Sequence, residues 1–192
     1  LSGGCHTAAM LAEEYDGRIH VVDNRRISVT LRQSVLEAKY LACRGKNPQE
    51  IVARLEQEGL ESSIYVAVNT LEYLKKSGRV TAAGAAVGTI LNIKPVLQIQ
   101  GGKLDAYKRA RGMHQAMQMM IDGLKYDQAH RFAGKKTVIR AAYSGDLEAG
   151  AIWQAELQTA FPGMSIGLDP LPISISCHTC DGALGVGMMK EI

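Results

Sequence analysis

The densest group of residues suited to chemistry lies near the end of the chain, in residues 174–185. Cys177, His178, Thr179 and Cys180 stand in a row there, and a glycine-rich stretch follows at residues 182–185. This pattern predicts a short strand that ends at a polar turn, with His178 and Thr179 at its tip, and then a small helix. Free backbone N–H groups at a helix start, together with an imidazole and a hydroxyl, suit an anionic oxygen of a carboxylate or phosphate.

Other interpretations of this segment stay open. Cys177 and Cys180 form a C-x-x-C pair, which with His178 could serve a thiol-based or redox enzyme acting on a small anionic substrate. In thioredoxin-like proteins the pair follows the first strand and heads a long helix, whereas here it lies near the C-terminus. Zinc is disfavoured because no second C-x-x-C or H-x-H cluster supplies the remaining ligands. The segment could also be a tight turn with an incidental histidine.

The first residues of the chain also predict a helix start. Ser2 is a good N-cap residue, and Gly3 and Gly4 follow it before an alanine-rich helical pattern. We predict that Ser2 and the amides of Gly3 and Gly4 meet His178 and Thr179 around one anion. A turn of this kind follows a strand in α/β proteins, so we expect a further segment ahead of residue 1.

The composition is that of an ordinary globular protein. Its 192 residues are 46% hydrophobic and 21% charged, with a net charge of +3 from interspersed charges. Because the sequence has no basic run and few aromatic residues, nucleic acid is a poor candidate partner. Four cysteines without a small disulfide framework, and no signal peptide or long apolar span, predict a reducing, cytoplasmic location.

The predicted elements divide the chain near residue 62. Residues 1–61 favour an α/β layer, with a strand at residues 18–22, a helix at residues 31–44, and a helix start marked by Asn47, Pro48 and Glu50. Residues 62–192 mix hairpins with helices, which predicts an α+β domain. Its strands are expected at residues 63–68, 93–98, 104–107, 137–142, 166–168 and 173–175, and its helices at residues 71–77, 82–88, 113–124 and 147–160.

Several motifs along the chain occur in a characteristic order and spacing, and together they resemble the DegV family of fatty-acid-binding proteins. They are Leu1-Ser2-Gly3; Val21-Val22-Asp23 with Ser28; the run from Tyr73 to Val80; Leu91-Asn92-Ile93-Lys94-Pro95-Val96-Leu97; Arg111-Gly112-Met113; and His178-Thr179 through Gly182-Ala183-Leu184-Gly185. Each motif alone is weak, but their combination over essentially the whole chain is specific.

The resemblance implies an α/β fold: the remainder of a DegV-like N-terminal α/β domain (residues 1–61), followed by a smaller α+β domain with a mixed sheet (residues 62–192). A long-chain fatty acid would lie between the domains. A kinase related to dihydroxyacetone kinases would receive the carboxylate and make an acyl phosphate. Arg79 is then expected near the head group and Arg111 at the surface read by the kinase. We expect no cofactor, metal or catalytic centre of the protein's own, and only transient contact with a membrane.

The sequence departs from the family pattern at several positions. The family's opening segment is absent, and Thr30 and Arg32 replace glycines that follow the early serine. The family's Gly-x-His-x-Gly-Pro-Gly pattern is replaced here by the run from Ser176 to Gly182. Because Asp181 would repel an anion nearby, we expect its carboxylate to point outward or to pair with a cation. These departures bear on the identity of the ligand.

Overall fold

The computed structural model describes residues 2–80, 93–100 and 103–191. The predicted helix at residues 82–88 lies outside these ranges, as do Gly101 and Gly102, which join the predicted strands at residues 93–98 and 104–107. Across the described ranges, no helix has the length and apolar character needed to cross a bilayer.

The described elements alternate between helices and strands. The helices are α1 (Gly4–Ala12), α2 (Ser28–Cys43), α3 (Pro48–Gln57), α4 (Glu72–Lys76), α5 (Met113–Ala129), α6 (Leu147–Ala160) and α7 (Ile173–Thr179), with a 3₁₀ turn at Glu13–Tyr15. The strands are β1 (Ser62–Ala67), β2 (Ile93–Gln100), β3 (Lys103–Arg111), β4 (Thr137–Tyr143), β5 (Gly167–Pro170) and β6 (Leu184–Lys190). The predicted capping box is present: the Asn47 side chain accepts from the Glu50 amide, and Glu50 accepts from the Asn47 amide.

The strands form one sheet in the order β3-β2-β1-β6-β4-β5. Neighbouring strands are antiparallel except β4 and β5, which are parallel, so the sheet is mixed as predicted. β2 and β3 pair as the predicted hairpin. Strands β1 and β6 lie at the centre and carry the most completely buried residues.

Helices α5 and α6 cover one face of the sheet and bury the main core with it. Trp153 of α6 is fully buried and its indole N–H donates to the Gly185 carbonyl at 2.7 Å. Met117 and Met120 of α5 also belong to this core. These two methionines therefore serve as core residues, since they pack against the sheet and the neighbouring helix.

Helix α2 lies on the opposite face, where it contacts β6 and β4. A Cβ added at Gly187 would lie 2.8 Å from the Val29 side chain and 2.9 Å from the Thr30 side chain, so glycine permits this close approach. A second apolar cluster shares this face, because its strand residues alternate with those of the main core. It comprises Val66, Val68, Leu71, Leu74, Leu97, Leu104 and Ala183.

A buried salt bridge joins Arg26, just before α2, to Glu37 within α2. The Arg26 and Glu37 side chains are 1% and 5% exposed, and their closest N and O atoms are 3.2 Å apart. Arg26 also donates to the carbonyls of Glu58 at 2.8 Å and Gly59 at 3.3 Å and to the Ser34 hydroxyl at 3.2 Å. The guanidinium thus uses its fork of donors to hold three chain segments together.

A buried polar network fixes α5 to strands β1 and β2. The Tyr65 hydroxyl donates to the Asp127 carboxylate at 2.8 Å and accepts from the Gln98 amide at 2.8 Å. The Gln100 amide donates to the same carboxylate and to the Ser63 hydroxyl. Burial, followed by the bond to Asp127, raises the pKa of Tyr65 far above its ordinary value.

Two predicted strands are wrong. Residues 18–22 form no strand and are largely exposed, because no described strand pairs with them. Residues 173–175 begin helix α7, in which the amide of Ser176 bonds to the carbonyl of Pro172 and that of Cys180 to Ser176. Pro172 precedes the first turn of α7 with an extended backbone, which suits a helix start. The predicted order of strand, turn and helix at residues 174–185 is therefore reversed: helix α7 comes first, and strand β6 follows the turn.

The contact between α2 and β6 gives the first prediction. Gly187→Ala should lower the free energy of unfolding by about 1–3 kcal/mol, because the added methyl group overpacks the interface with α2. Gly185→Ala, on the same face of the same strand, is the control: its added Cβ would meet nothing closer than 3.6 Å. Urea unfolding of both variants measures the difference. Equal destabilisation would show that α2 does not press on Gly187.

Candidate functional site

The turn that carries the predicted site is held by one buried serine. The Ser144 hydroxyl donates to the Cys180 carbonyl at 2.6 Å and accepts from the Ala183 amide at 2.9 Å. The Ser144 carbonyl accepts from the Gly182 amide at 3.0 Å. The loop after β4 therefore clamps the turn between α7 and β6 at both ends.

The observed order of elements changes the electrostatics of the turn. The carbonyl end of α7 lies there, so the predicted helix-start amides are absent from residues 180–183. This end of a helix favours cations over anions. Thr179 is buried and its hydroxyl donates to the Ile175 carbonyl at 3.4 Å. Half-buried His178, in the last turn of α7, is the side chain left to donate to a ligand from this helix.

Two polar residues that the sequence reasoning missed adjoin the turn. The Asn69 side-chain amide donates to the backbone carbonyl of Asp181 at 3.0 Å. The Lys94 ammonium in turn donates to the Oδ1 of Asn69 at 2.8 Å. Lys94 lies within one of the family motifs, so that motif was the available signal. These residues bring a positive charge toward the carbonyl end of α7.

The Asp181 carboxylate lies against the backbone of Gly145. Asp181 is exposed, and a Cβ added at Gly145 would lie 1.5 Å from its Oδ1, so the carboxylate rests directly against Gly145 at the approach to α6.

The cysteine pair occupies an unfavourable place for thiol chemistry. Cys177 is exposed, Cys180 is half-buried, and both are free thiols. The Cys177 thiol donates to the Ser174 carbonyl at 3.5 Å. Both lie at the carbonyl end of α7, whereas activated thiolates gain stability at the opposite end of a helix. The described residues hold no group of three or more His, Cys, Asp or Glu side chains that could bind a metal.

The other predicted site residues lie on separate elements. Arg79 is exposed just after α4, a helix that packs against α7, and its place near the head group stays a prediction. Arg111 is exposed at the end of β3, an edge strand of the sheet.

The N-terminal residues form a separate exposed group. The Ser2 hydroxyl accepts from the Gly4 amide at 3.1 Å, and Gly3 is the N-cap of α1, one residue later than expected. Among the described residues, no hydrogen bond or salt bridge joins residues 2–4 to α7. Their meeting around one anion stays a prediction.

An apolar cleft opens at the other end of α7. It has a volume of about 430 Å³ and lies between the first half of α2 and the segment from β5 to α7. Its lining residues are Ser28, Val29, Leu31, Arg32, Val35, Asp169, Pro170 and Pro172. Because Pro172 directly precedes α7, the cleft and His178 are separated by this helix of seven residues, which is about 10 Å long.

A second cleft of similar size is less suited to an apolar ligand. Its lining residues are Gln33, Leu36, Glu37, Tyr40, Lys136 and Glu191, of which four are polar or charged. Lys136 and Glu191 also form an ion pair across it at 2.7 Å.

In the part of the chain that the structure describes, the fold is α/β with a mixed six-stranded sheet, and the apolar cleft and the polar turn lie at opposite ends of α7. Residues 1–191 match the family model described as "Uncharacterised protein, DegV family". The chain belongs to the DegV family.

Relatives of known sequence and structure support the same assignment. A DegV domain-containing protein from Deinococcus radiodurans is 31% identical over 98% of this chain and 66% of its own length. A fatty-acid-binding DegV family protein from Thermus thermophilus is 32% identical, with a TM-score of 0.86 over 99% of this chain and 67% of its own. A DegV lipid-binding protein from Thermotoga maritima is 25% identical, with a TM-score of 0.84 over 99% of this chain and 65% of its own. The chain thus spans about two thirds of the length of these relatives.

The clamp at the turn gives the second prediction. Ser144→Ala should destabilise the protein by about 1–3 kcal/mol, because it leaves the buried Ala183 amide without its acceptor. Ser174→Ala, at an exposed hydroxyl of α7, should change stability by less than about 0.5 kcal/mol. Thermal unfolding followed by circular dichroism compares the two. Equal stabilities would mean that Ser144 does not hold the turn.

Proposed function

We propose that this protein binds a long-chain fatty acid and presents its carboxylate to a kinase related to dihydroxyacetone kinases, which forms an acyl phosphate. The observation that carries the proposal is the apolar cleft at the start of α7, joined by that helix to His178. The fatty-acid-binding relative from Thermus thermophilus, with the same fold, supports it. The protein itself supplies binding and orientation and has no catalytic role.

The tail of the ligand would gain its affinity from burial in the cleft. Leu31 and Val35 of α2 are 45% and 63% exposed, and Ile173 at the start of α7 is 88% exposed. Large apolar side chains with this much exposure line up beside the cleft and offer surface for an acyl chain to cover. Each buried methylene contributes about 0.8 kcal/mol, so a long chain provides most of the affinity.

The head group would lie at the opposite end of α7. His178 donates a hydrogen bond there, with Thr179 beside it, and Arg79 adds a positive charge from the end of α4. Ser2 and the amides of Gly3 and Gly4 would approach from the other side. Lys94 offsets the carbonyl end of α7, which on its own would disfavour a carboxylate.

Presentation to the kinase would use the exposed end of the edge strand β3. Arg111 is exposed to solvent there, so its charge acts on a partner protein more than on the apolar tail of the ligand. The proposal includes a cytoplasmic location, which agrees with four free thiols.

The third prediction tests the tail site with a matched pair of variants. Val35→Asp replaces apolar cleft surface with a hydrated carboxylate and should remove most of the fatty acid that co-purifies with the protein, because the acyl chain would have to strip water from the charged group. Ile152→Asp is the control: Ile152 is 52% exposed on α6, on the opposite face of the sheet, and its replacement should leave the ligand in place. Native mass spectrometry of gently purified protein measures occupancy. Absence of fatty acid from the wild-type protein, or equal occupancy in both variants, would contradict the proposal.

The fourth prediction separates binding from presentation. His178→Ala should lower both fatty-acid retention and acyl phosphate formation, with an affinity loss of about 1.5–3 kcal/mol for a bond to a charged group. Arg111→Ala should leave occupancy near the wild-type level but slow the kinase reaction. Added salt should slow the wild-type reaction in the same direction, because exposed charges are screened over about 8–10 Å.

Both measurements are made on the same preparations, with His114→Ala on the exposed side of α5 as the control. A fall in occupancy with Arg111→Ala would place Arg111 in the binding site. Unchanged occupancy and turnover with His178→Ala would remove His178 from it.

A further inference from the structure

One wall of the apolar cleft carries more positive than negative charge. Asp169 bonds to two arginines: the Arg32 Nε lies 3.3 Å from its Oδ1, and the Arg140 Nε and Nη2 lie 2.9 and 2.8 Å from its Oδ2. Two guanidinium groups therefore share one carboxylate. The cluster keeps a net charge of +1 beside apolar lining residues.

Arg140 and Arg32 differ in how many of their nitrogens contact Asp169. Arg140 contacts Asp169 through two nitrogens, its side chain is 17% exposed, and a Cβ added at Gly167 would lie 2.5 Å from its guanidinium. Arg32 contacts Asp169 through Nε alone and its side chain is 45% exposed. Within the described ranges, the terminal nitrogens of Arg32 have no protein acceptor. Arg32 lines the cleft, so these donors are available to a ligand there.

The position of the cluster decides what such a ligand would look like. Arg32 and Asp169 lie at the cleft before α7, whereas His178 lies in the last turn of that helix. A simple fatty acid has one charged end and would leave a methyl group beside Arg32. A charged group facing an apolar chain end loses hydration without compensation. A second anionic group on the ligand would pair with the excess charge.

We propose that Arg32, Asp169 and Arg140 form a second anion subsite, and that the ligand of this protein is a long-chain α,ω-dicarboxylic acid. This inference rests on the proposed function, because it places the first carboxylate at His178 and the acyl chain in the cleft. The Arg32 guanidinium binds the second carboxylate, and Arg140 holds Asp169 so that Arg32 stays at the cleft wall. The Ser28 hydroxyl lies on the same wall as a further polar group.

The test compares two probes of equal length on delipidated protein. Hexadecanedioic acid should bind the wild-type chain about tenfold more tightly than hexadecanoic acid, as expected for one added charge-assisted bond. Arg32→Gln should abolish this preference by weakening the diacid alone. Arg44→Gln, at the exposed end of the same helix, is the control and should keep the preference. Isothermal titration calorimetry gives both dissociation constants for each protein.

Each outcome has a distinct meaning. Equal affinities of the wild-type protein for the two acids would overturn the second subsite while leaving the proposed fatty-acid function intact. Binding of neither acid would contradict the proposed function itself. If Arg32→Gln weakens both acids equally, the cluster holds the only carboxylate and the two-ended ligand is wrong.

Discussion

The buried ion pair between Arg26 and Glu37 is the interaction on which the arrangement of α2 depends. Burial lowers the pKa of Arg26 and raises the pKa of Glu37, while the attraction between the two opposes both shifts. Separating them inside the protein would leave an uncompensated charge, at a cost of about 3–5 kcal/mol. Helix α2 therefore cannot move away from Arg26, which also bonds to the carbonyls of Glu58 and Gly59 ahead of β1, without a large penalty. Its position in turn sets one wall of the apolar cleft, since Val29, Arg32 and Val35 all lie on α2.

The site is organised by charge as much as by shape. Helix α7 is short, and its two ends adjoin different environments: an apolar groove before Ile173 and a polar turn after Thr179. Cations lie near both ends, with Arg32 and Arg140 at the cleft and Lys94 near the turn, where it donates to Asn69. An anionic amphiphile is the class of ligand that this distribution suits, because apolar burial supplies affinity while the charges fix its direction.

Local signals in the sequence predicted most elements correctly. The Asn47 capping box and the helix over residues 147–160 depend on neighbouring residues, and both were predicted at their observed positions. Residues 18–22 and 173–175 failed because a β-branched or alternating pattern predicts a strand only where a partner strand exists. At residues 173–175, Pro172 and the short polar side chains that follow it start a helix instead.

The contacts that build the site were beyond sequence reasoning for a related reason. Ser144 bonds to residues about 36 to 39 positions away, and Asn69 to Asp181 across 112 positions. No local pattern encodes such pairings. His178 was identified from the residue types of its own segment, whereas Arg79 and Arg111 were identified only through the family motifs.

The network around Asp127 has a consequence for how faithfully the sheet assembles. Tyr65 and Gln98 are direct partners across β1 and β2. Sliding β2 by two residues would keep every apolar side chain on its own face, so hydrophobic burial discriminates weakly between the two alignments. The slipped sheet would separate Gln98 from Tyr65 and displace Gln100 from Asp127, so the buried carboxylate would keep its bond from Tyr65 but lose the bonds from Gln100. The buried polar groups thus select the native alignment of β2, because hydrophobic packing alone would tolerate the slipped sheet.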